Sequence, residues 1–141
     1  MNILVPVDGS DYTKRMLAYL TAHDEWLGGL HRYTLLHVVG AMPSRVASAV
    51  DKATLQAYYD SEAEKVLKPI RAFFARHADI QAEFMTKTGS PAQTIVKLAQ
   101  LKKYDLVMMG SHGHAALGNL ILGSVATKVL AQTSVPVLLI R

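Results

Sequence analysis

YDLVMMGSHGHAALGNLILGSVAT, residues 104–127 of the 141-residue chain, predicts a strand, a glycine-containing loop and the start of a helix. The apolar run Leu106–Met109 is typical of a buried strand, which breaks at Gly110. Apolar periodicity resumes near Gly123 and predicts a helix. The first turn of a helix has free backbone N–H groups and lies at the positive end of the helix dipole, so this connection is suited to hold an anion.

Three glycines and a serine form the predicted anion site. Gly110, Gly113 and Gly123 can take positive φ angles and carry no Cβ, so a phosphate can lie close to their backbone. Ser124 adds a hydroxyl that suits either a phosphate oxygen or the N-cap position of the helix. Turn chemistry would also explain single glycines here. The joint position of these residues between a strand and a helix favours the anion site.

The spacing of these residues excludes two common nucleotide motifs. No G-x-G-x-x-G dinucleotide fingerprint occurs, and residues 118–123 form a G-x-x-x-x-G that is followed by Ser124 where a P-loop needs lysine. The pattern present is G-x-x-G, nine residues, then G-[ST], which begins at Gly110. This pattern resembles the ATP-binding signature of the universal stress protein family. Five other segments are similar to that family, so the resemblance covers essentially the whole chain: MGSHGH, SVPVLLIR, ILVPVDGS, LLHV and TGSPAQTI.

Composition and charge limit the classes of protein to which this chain can belong. Half of the residues are apolar and 18% are charged, which predicts one globular domain over residues 1–141. There is no run of eighteen apolar residues and no basic leader before Asp8, so neither a membrane span nor a signal peptide is predicted. The absence of cysteine excludes disulfides and favours a reducing, cytoplasmic location. The net charge of +4 is scattered, so no nucleic-acid partner is predicted.

Strands alternate with helices along the chain, which predicts a mostly parallel sheet with helices on both faces. The predicted strands cover residues 3–7, 33–39, 80–86, 106–109 and 135–140. The predicted helices begin at Ser10 or Asp11, at Lys52, at Ser90-Pro91 and at Leu120 or Gly123, and residues 40–50 form a loop. The resemblance implies an α/β fold, a single-domain Rossmann-like open sheet of five parallel strands in the order 3-2-1-4-5.

The resemblance also implies an ATP site at the carboxyl ends of strands one and four, where the strand order reverses. Asp8 and the backbone before it would hold the ribose and adenine, and Val38 would meet adenine through its main chain. The residues after strand four and those opening the last helix would lie along the phosphates. The full set implied is Pro6, Val7, Asp8, Val38, Met109, Gly110, Gly113, Gly123, Ser124 and Val125. Mg²⁺ or Mn²⁺ would accompany ATP, bound through the phosphates.

Several of these residues have other interpretations. Asp8 can cap the first helix instead of binding ribose, although a carboxylate can accept from both ribose hydroxyls. His37 is predicted to be a hydrogen-bonded core histidine. His112 and His114, with His37 near, could bind a transition metal, but no carboxylate is spaced to complete that site. The Ser-His-Gly-His run is also similar to the histidine motif of nucleotidyltransferases, which follows the first strand and not the fourth.

The glycine loop contains no lysine or arginine, on which phosphoryl transfer depends. With the resemblance, this favours a small ATP-binding stress-response regulator with little or slow hydrolysis, and no catalytic residue is predicted. The alternatives are a nucleotide-independent dimeric partner-binding module and a slow ATPase or phosphotransferase. Pro136 lies early in the last strand, which suits an edge strand. The resemblance implies homodimers that pair through this strand, residues 135–140.

Overall fold

The computed structural model describes residues 1–114 and 121–141, and the strands among them form one parallel sheet. The strands are β1 (Asn2–Pro6), β2 (Arg32–Val39), β3 (Gln81–Thr88), β4 (Leu106–Gly110) and β5 (Val137–Ile140). The helices are α1 (Asp11–Ala22), α2 (Asp24–Leu27), α3 (Ser44–Ala47), α4 (Lys52–Ala75), α5 (Pro91–Leu101) and α6 (Ser124–Gln132). The strand order β3-β2-β1-β4-β5 confirms the predicted Rossmann-like open sheet.

The central strand β1 is buried on both faces because alternate side chains point to opposite sides of the sheet. Ile3 and Val5 belong to a core that includes residues of α1, α2 and α4. Leu4 belongs to a second core that includes residues of α5 and α6. The predicted layers of helices on both faces are therefore confirmed.

The chain changes direction across the sheet at β1. This strand pairs in parallel with β2 on one side, where Ile3 lies opposite Tyr33, and with β4 on the other, where Ile3 lies opposite Leu106. The first crossover therefore runs to one side of β1, and the crossover after β3 runs to the other. Connections that leave in opposite directions open a crevice at the carboxyl ends of the strands, where sheets of this type bind ligands.

The longest helix, α4, has 24 residues, and its buried residues are Ala63, Leu67, Ile70 and Phe74. The first half of α4 therefore extends beyond the core at the carboxyl end of the sheet. Within residues 1–114 and 121–141, no helix combines the length and apolar character needed to cross a membrane.

Several predicted boundaries differ from the structure. The loop predicted at residues 40–50 contains α3, a four-residue helix too short to show periodicity in sequence. The last strand starts at Val137 rather than at residue 135, because Pro136 has no N–H to donate to a ladder. The last helix starts at Ser124. The alternative start at Leu120 lies outside the described residues, as does Gly118 of the P-loop-like run.

Tyr33 gives the fold a measurable response to alkaline pH. Its buried hydroxyl donates to the carbonyl oxygen of Leu27, and burial raises the pKa of Tyr33 to about 12. In the unfolded chain tyrosine releases its proton near pH 10. The stabilisation from the neutral hydroxyl is therefore complete below about pH 10 and is lost as the pH rises towards 12. We expect the free energy of unfolding, measured with urea, to fall across this range by less in Tyr33→Phe than in the wild type.

The control for this prediction is Tyr58→Phe, since Tyr58 is 41% exposed. This variant should keep the wild-type dependence on pH. Equal slopes between pH 10 and 12 for the wild type and Tyr33→Phe would contradict the assignment to Tyr33.

Candidate functional site

A cavity of about 290 Å³ opens at the carboxyl ends of β1, β2 and β4. The residues predicted for the site all lie on its wall: Pro6, Val7, Asp8, Val38, Met109, Gly110, Gly113, Gly123, Ser124 and Val125. Sequence reasoning did not assign the other lining residues to the site: Thr13, Leu36, His37, Pro91, Ile95, His112, His114 and Ala126. The fold thus brings the predicted set together, and their contact with a nucleotide stays a prediction.

The two carboxylate oxygens of Asp8 have different surroundings. Oδ1 accepts from the Ser10 N–H and from the Thr13 hydroxyl, each at 2.9 Å, and the Thr13 hydroxyl oxygen accepts from the Asp8 N–H at 3.2 Å. These bonds fix the turn that leads into α1. Among the residues that the structure describes, no donor reaches Oδ2, which lies beside Gly113. One oxygen therefore orders the start of α1, and the other remains available at the cavity wall.

Glycine is required at the end of β4 and in the loop after it, because the neighbouring atoms leave no space for a Cβ. An added Cβ would lie 2.8 Å from Tyr12 Cβ at Gly110, 2.5 Å from Asp8 Oδ2 at Gly113 and 2.9 Å from His112 Cα at Gly123. Real Cβ atoms essentially never make contacts this short. None of these three glycines has a positive φ angle, so of the two properties considered, only the absence of a Cβ is used here. Their backbone packs closely against protein and in this way shapes the cavity wall.

Helix α6 starts at the cavity with free backbone donors. Its N-cap is Gly123, so of the two roles considered for Ser124, the N-cap role does not apply. The first bond of the helix runs from the Thr127 N–H to the Gly123 carbonyl at 2.9 Å. The N–H groups of Ser124, Val125 and Ala126 precede this bond and have no acceptor among the described residues. These three residues line the cavity, so the positive end of the α6 dipole faces it.

Histidines tie the loops around the cavity together. Because a carbonyl oxygen only accepts, His37 Nδ1 donates to the Val7 carbonyl at 2.8 Å. His114 Nε2 donates in the same way to the Asp8 carbonyl at 2.6 Å, which joins the loop after β4 to the loop after β1. The prediction of a hydrogen bond at His37 is confirmed. The core position predicted for His37 was wrong, because its side chain is half-buried at the cavity wall.

His112 packs between the site and α1. Its Nδ1 lies 3.0 Å from the Ser111 hydroxyl, and its ring lies 4.9 Å from the ring of Tyr12. The Arg15 guanidinium lies over the Tyr12 ring, 5.1 Å from the ring centre. No group of three or more His, Asp or Glu side chains within the described ranges is arranged to hold a metal ion.

The charged groups on the described wall are few. Asp8 supplies the carboxylate, and no lysine or arginine of the described residues lines the cavity. An anionic ligand would therefore meet backbone N–H groups, a serine hydroxyl and histidines. Leu36, Ile95 and Met109 supply apolar parts of the wall. The cavity is suited to a ligand with an apolar part and an anionic part.

The sequence profile of the universal stress protein family matches residues 1–141. The chain belongs to this family. A universal stress protein of Thermus aquaticus, from the QAH/OAS sulfhydrylase 3′ region, is 32% identical over 139 residues, which are 99% of this chain and 97% of the relative. The solved structure of MJ0577, from Methanocaldococcus jannaschii, matches with a TM-score of 0.78 at 26% identity and covers 99% of this chain and 94% of that one.

More distant universal stress proteins of the same fold have been solved with adenine nucleotides. One from Archaeoglobus fulgidus is in complex with dAMP, at a TM-score of 0.68, 19% identity and coverage of 100% and 98%. One from Arabidopsis thaliana has AMP bound. It matches with a TM-score of 0.69 at 16% identity and covers 99% of this chain and 90% of that one. A third is in complex with cAMP. It matches with a TM-score of 0.64 at 22% identity and covers 100% of this chain and 97% of that one. At these identities the likeness to this chain is one of fold.

The missed wall residues had weak signals in the sequence. Apolar alternation indicates only that Leu36 and Ile95 face a core, and both do lie in the core shared with α5 and α6. Thr13 follows Asp8 by five residues, and its role depends on how the turn between them folds. The position of these residues on the cavity wall depends on how the loops fold together, and a single sequence does not specify that.

The close packing at Gly113 predicts a specific loss of stability. We expect Gly113→Ala to lower the free energy of unfolding by about 1–3 kcal/mol, because the new Cβ displaces the Asp8 carboxylate. The matched control is Gly40→Ala, where a Cβ meets nothing within 4 Å and the loss of backbone freedom in the unfolded chain adds up to about 1 kcal/mol. Both values come from urea unfolding. A Gly113→Ala protein as stable as Gly40→Ala would contradict the packing argument.

Proposed function

We propose that this universal stress protein is an ATP-binding regulator of the stress response. Adenine nucleotide would lie at the carboxyl ends of β1 and β4 and undergo little or slow hydrolysis. The observation that carries the proposal is the arrangement of the cavity wall. The wall combines an unpaired peptide edge at Val38, apolar side chains and the free N–H groups at the start of α6.

The peptide edge at Val38 suits adenine. Along β2, the Leu36 carbonyl points toward β1, because it accepts from the Val7 N–H. The Val39 carbonyl points toward β3, because it accepts from the Gly89 N–H. Alternation therefore directs the N–H and carbonyl of Val38 toward the end of β1. Neither group has a partner among the described residues. A donor beside an acceptor matches the ring nitrogen and amino group of adenine, whereas guanine presents the opposite pattern at those positions.

The remainder of a nucleotide fits the other groups on the wall. Asp8 Oδ2 would accept from a ribose hydroxyl. The N–H groups of Ser124, Val125 and Ala126 would donate to phosphate oxygens, and the α6 dipole favours their negative charge. The family members solved with AMP, dAMP and cAMP support an adenine nucleotide as the ligand.

A divalent cation, Mg²⁺ or Mn²⁺, would accompany a triphosphate. The described wall supplies no lysine or arginine to offset the phosphate charge, and Asp8 is its one carboxylate. Such a cation would therefore bind through the phosphates rather than in a protein cage. The same lack of cationic side chains supports slow turnover, because phosphoryl transfer depends on charge stabilisation.

We also propose that the protein acts as a homodimer through residues 135–140. The strand order places β5 at an edge of the sheet, with β4 on its other side. Leu138 and Leu139 are half-buried on this edge strand. A short apolar edge strand favours pairing with a second chain.

The proposed phosphate contacts can be tested with one backbone N–H. Ser124 is the first residue of α6, and Gly123 before it is already extended at φ −70° and ψ 160°, which a following proline requires. Ser124→Pro therefore removes an N–H without breaking the helix. We expect calorimetry to show about tenfold weaker binding of ATP with Mg²⁺ and unchanged binding of adenosine.

Ser124→Ala is the matched control, since it removes the hydroxyl and keeps the N–H. It should retain more ATP affinity than Ser124→Pro. Equal ATP affinity for the wild type and Ser124→Pro would contradict the role of the α6 N-terminus. Absence of any nucleotide binding by the folded wild type would instead favour the nucleotide-independent dimeric module.

The proposed dimer predicts a mass of two chains in sedimentation at tens of micromolar protein. Leu139→Lys should shift the protein toward monomer, because it places a charge in the paired edge. Leu30→Lys is the control, since Leu30 is 92% exposed and precedes β2, which β1 and β4 separate from this edge. A wild type with the mass of one chain, or a Leu139→Lys protein that stays folded and dimeric, would contradict the proposed interface.

A further inference from the structure

The ring of His37 lies where the ladder between β1 and β2 stops. The Val7 N–H donates to the Leu36 carbonyl at 2.9 Å. In a regular parallel ladder, the next bond would run from the Val38 N–H to the Val7 carbonyl. The register instead ends at the pair Pro6 and Leu36, and His37 Nδ1 donates to the Val7 carbonyl at 2.8 Å. A side chain therefore satisfies the acceptor that the main chain would otherwise use.

This replacement leaves a donor available. Val7 is only 5% exposed, and a buried carbonyl needs a hydrogen bond. Because the imidazole supplies that bond, the strands can separate here without leaving the Val7 carbonyl unsatisfied. The Val38 N–H then has no partner among the described residues, and Val38 lies on the cavity wall. The edge proposed to bind adenine exists because the ladder ends one bond early.

We propose that His37 is a positioning residue that sets base specificity by holding the Val7 carbonyl and so keeping the Val38 N–H open to the ring nitrogen of adenine. This inference rests on the proposed function. The role requires a donor at the Nδ1 position and no positive charge. Asparagine places an amide N–H at a similar distance along its side chain, so His37→Asn should keep the edge open. Leucine has no donor, so His37→Leu should let the Val38 N–H close onto the Val7 carbonyl.

The test is a double-mutant cycle between the protein and the ligand. In 1-deaza-ATP a C–H replaces the ring nitrogen beside the amino-bearing carbon, so the proposed bond from Val38 is lost. By calorimetry, wild type should bind ATP about tenfold more tightly than 1-deaza-ATP. His37→Leu should weaken ATP binding about tenfold and leave the affinity for 1-deaza-ATP unchanged. His37→Asn should bind both ligands as the wild type does. A role in stability alone would weaken both ligands equally.

Additive losses from His37→Leu and the deaza substitution would overturn the assignment to His37 and leave the proposed function intact. Failure of the wild type to bind ATP would overturn the proposed function and this inference with it. Thermal melts of the variants establish that each is folded before the titration.

A measurement on wild-type protein covers the case in which His37→Leu does not fold. Hydrogen exchange of the Val38 amide, followed by NMR, should be fast in the free protein and slow with ATP bound. With 1-deaza-ATP it should stay fast. A Val38 amide that is protected in the free protein, as amides of a paired strand are, would overturn the inference.

Discussion

The early end of the parallel ladder at β1 is the constraint on which the site depends. Pairing of β1 with β2 stops at Pro6, and beyond it the chain turns into Asp8 and α1. The neighbouring strands continue past this point, so their carboxyl ends surround a cavity instead of a filled sheet. The carbonyls and N–H groups freed by the early stop must find other partners or remain available to a ligand.

The loops around β1 show how those partners are distributed. His37 and His114 donate to the successive carbonyls of Val7 and Asp8. Asp8 gives one oxygen to the start of α1 and faces Gly113 with the other. These bonds connect the loop after β4 to the loop after β1. The edge of Val38, the first turn of α6 and Asp8 Oδ2 have no partner among the described residues, and the proposed nucleotide contacts are built from those groups.

Much of the architecture could be predicted from the sequence because the long elements have strong patterns. The apolar run of β1, the periodicity of α4 and the Ser90-Pro91 start of α5 were all recovered. The order of the strands was not contained in those patterns and came from the family resemblance. The helices α2 and α3 were missed because each has four residues, about one turn, and one turn shows no period.

The ten residues predicted for the site line one cavity, but the physical reason for each residue could not be predicted from the sequence. Glycines in a strand–loop–helix connection can serve positive φ angles or close packing, and a sequence does not distinguish the two. At Gly110, Gly113 and Gly123 the reason is close packing. The polar His37 in an apolar strand indicated a hydrogen bond, but its partner depends on where β1 stops. That position is set by the three-dimensional pairing.

The most direct test of the account is a comparison of ATP and GTP by calorimetry on the emptied wild-type protein with Mg²⁺. The two ligands carry the same ribose and phosphates, so any difference reports the base. The account predicts that ATP binds at least about tenfold more tightly, since guanine opposes the donor and acceptor of Val38. Equal affinities would contradict base recognition at the open end of β1, and no heat with either ligand would contradict the nucleotide site itself.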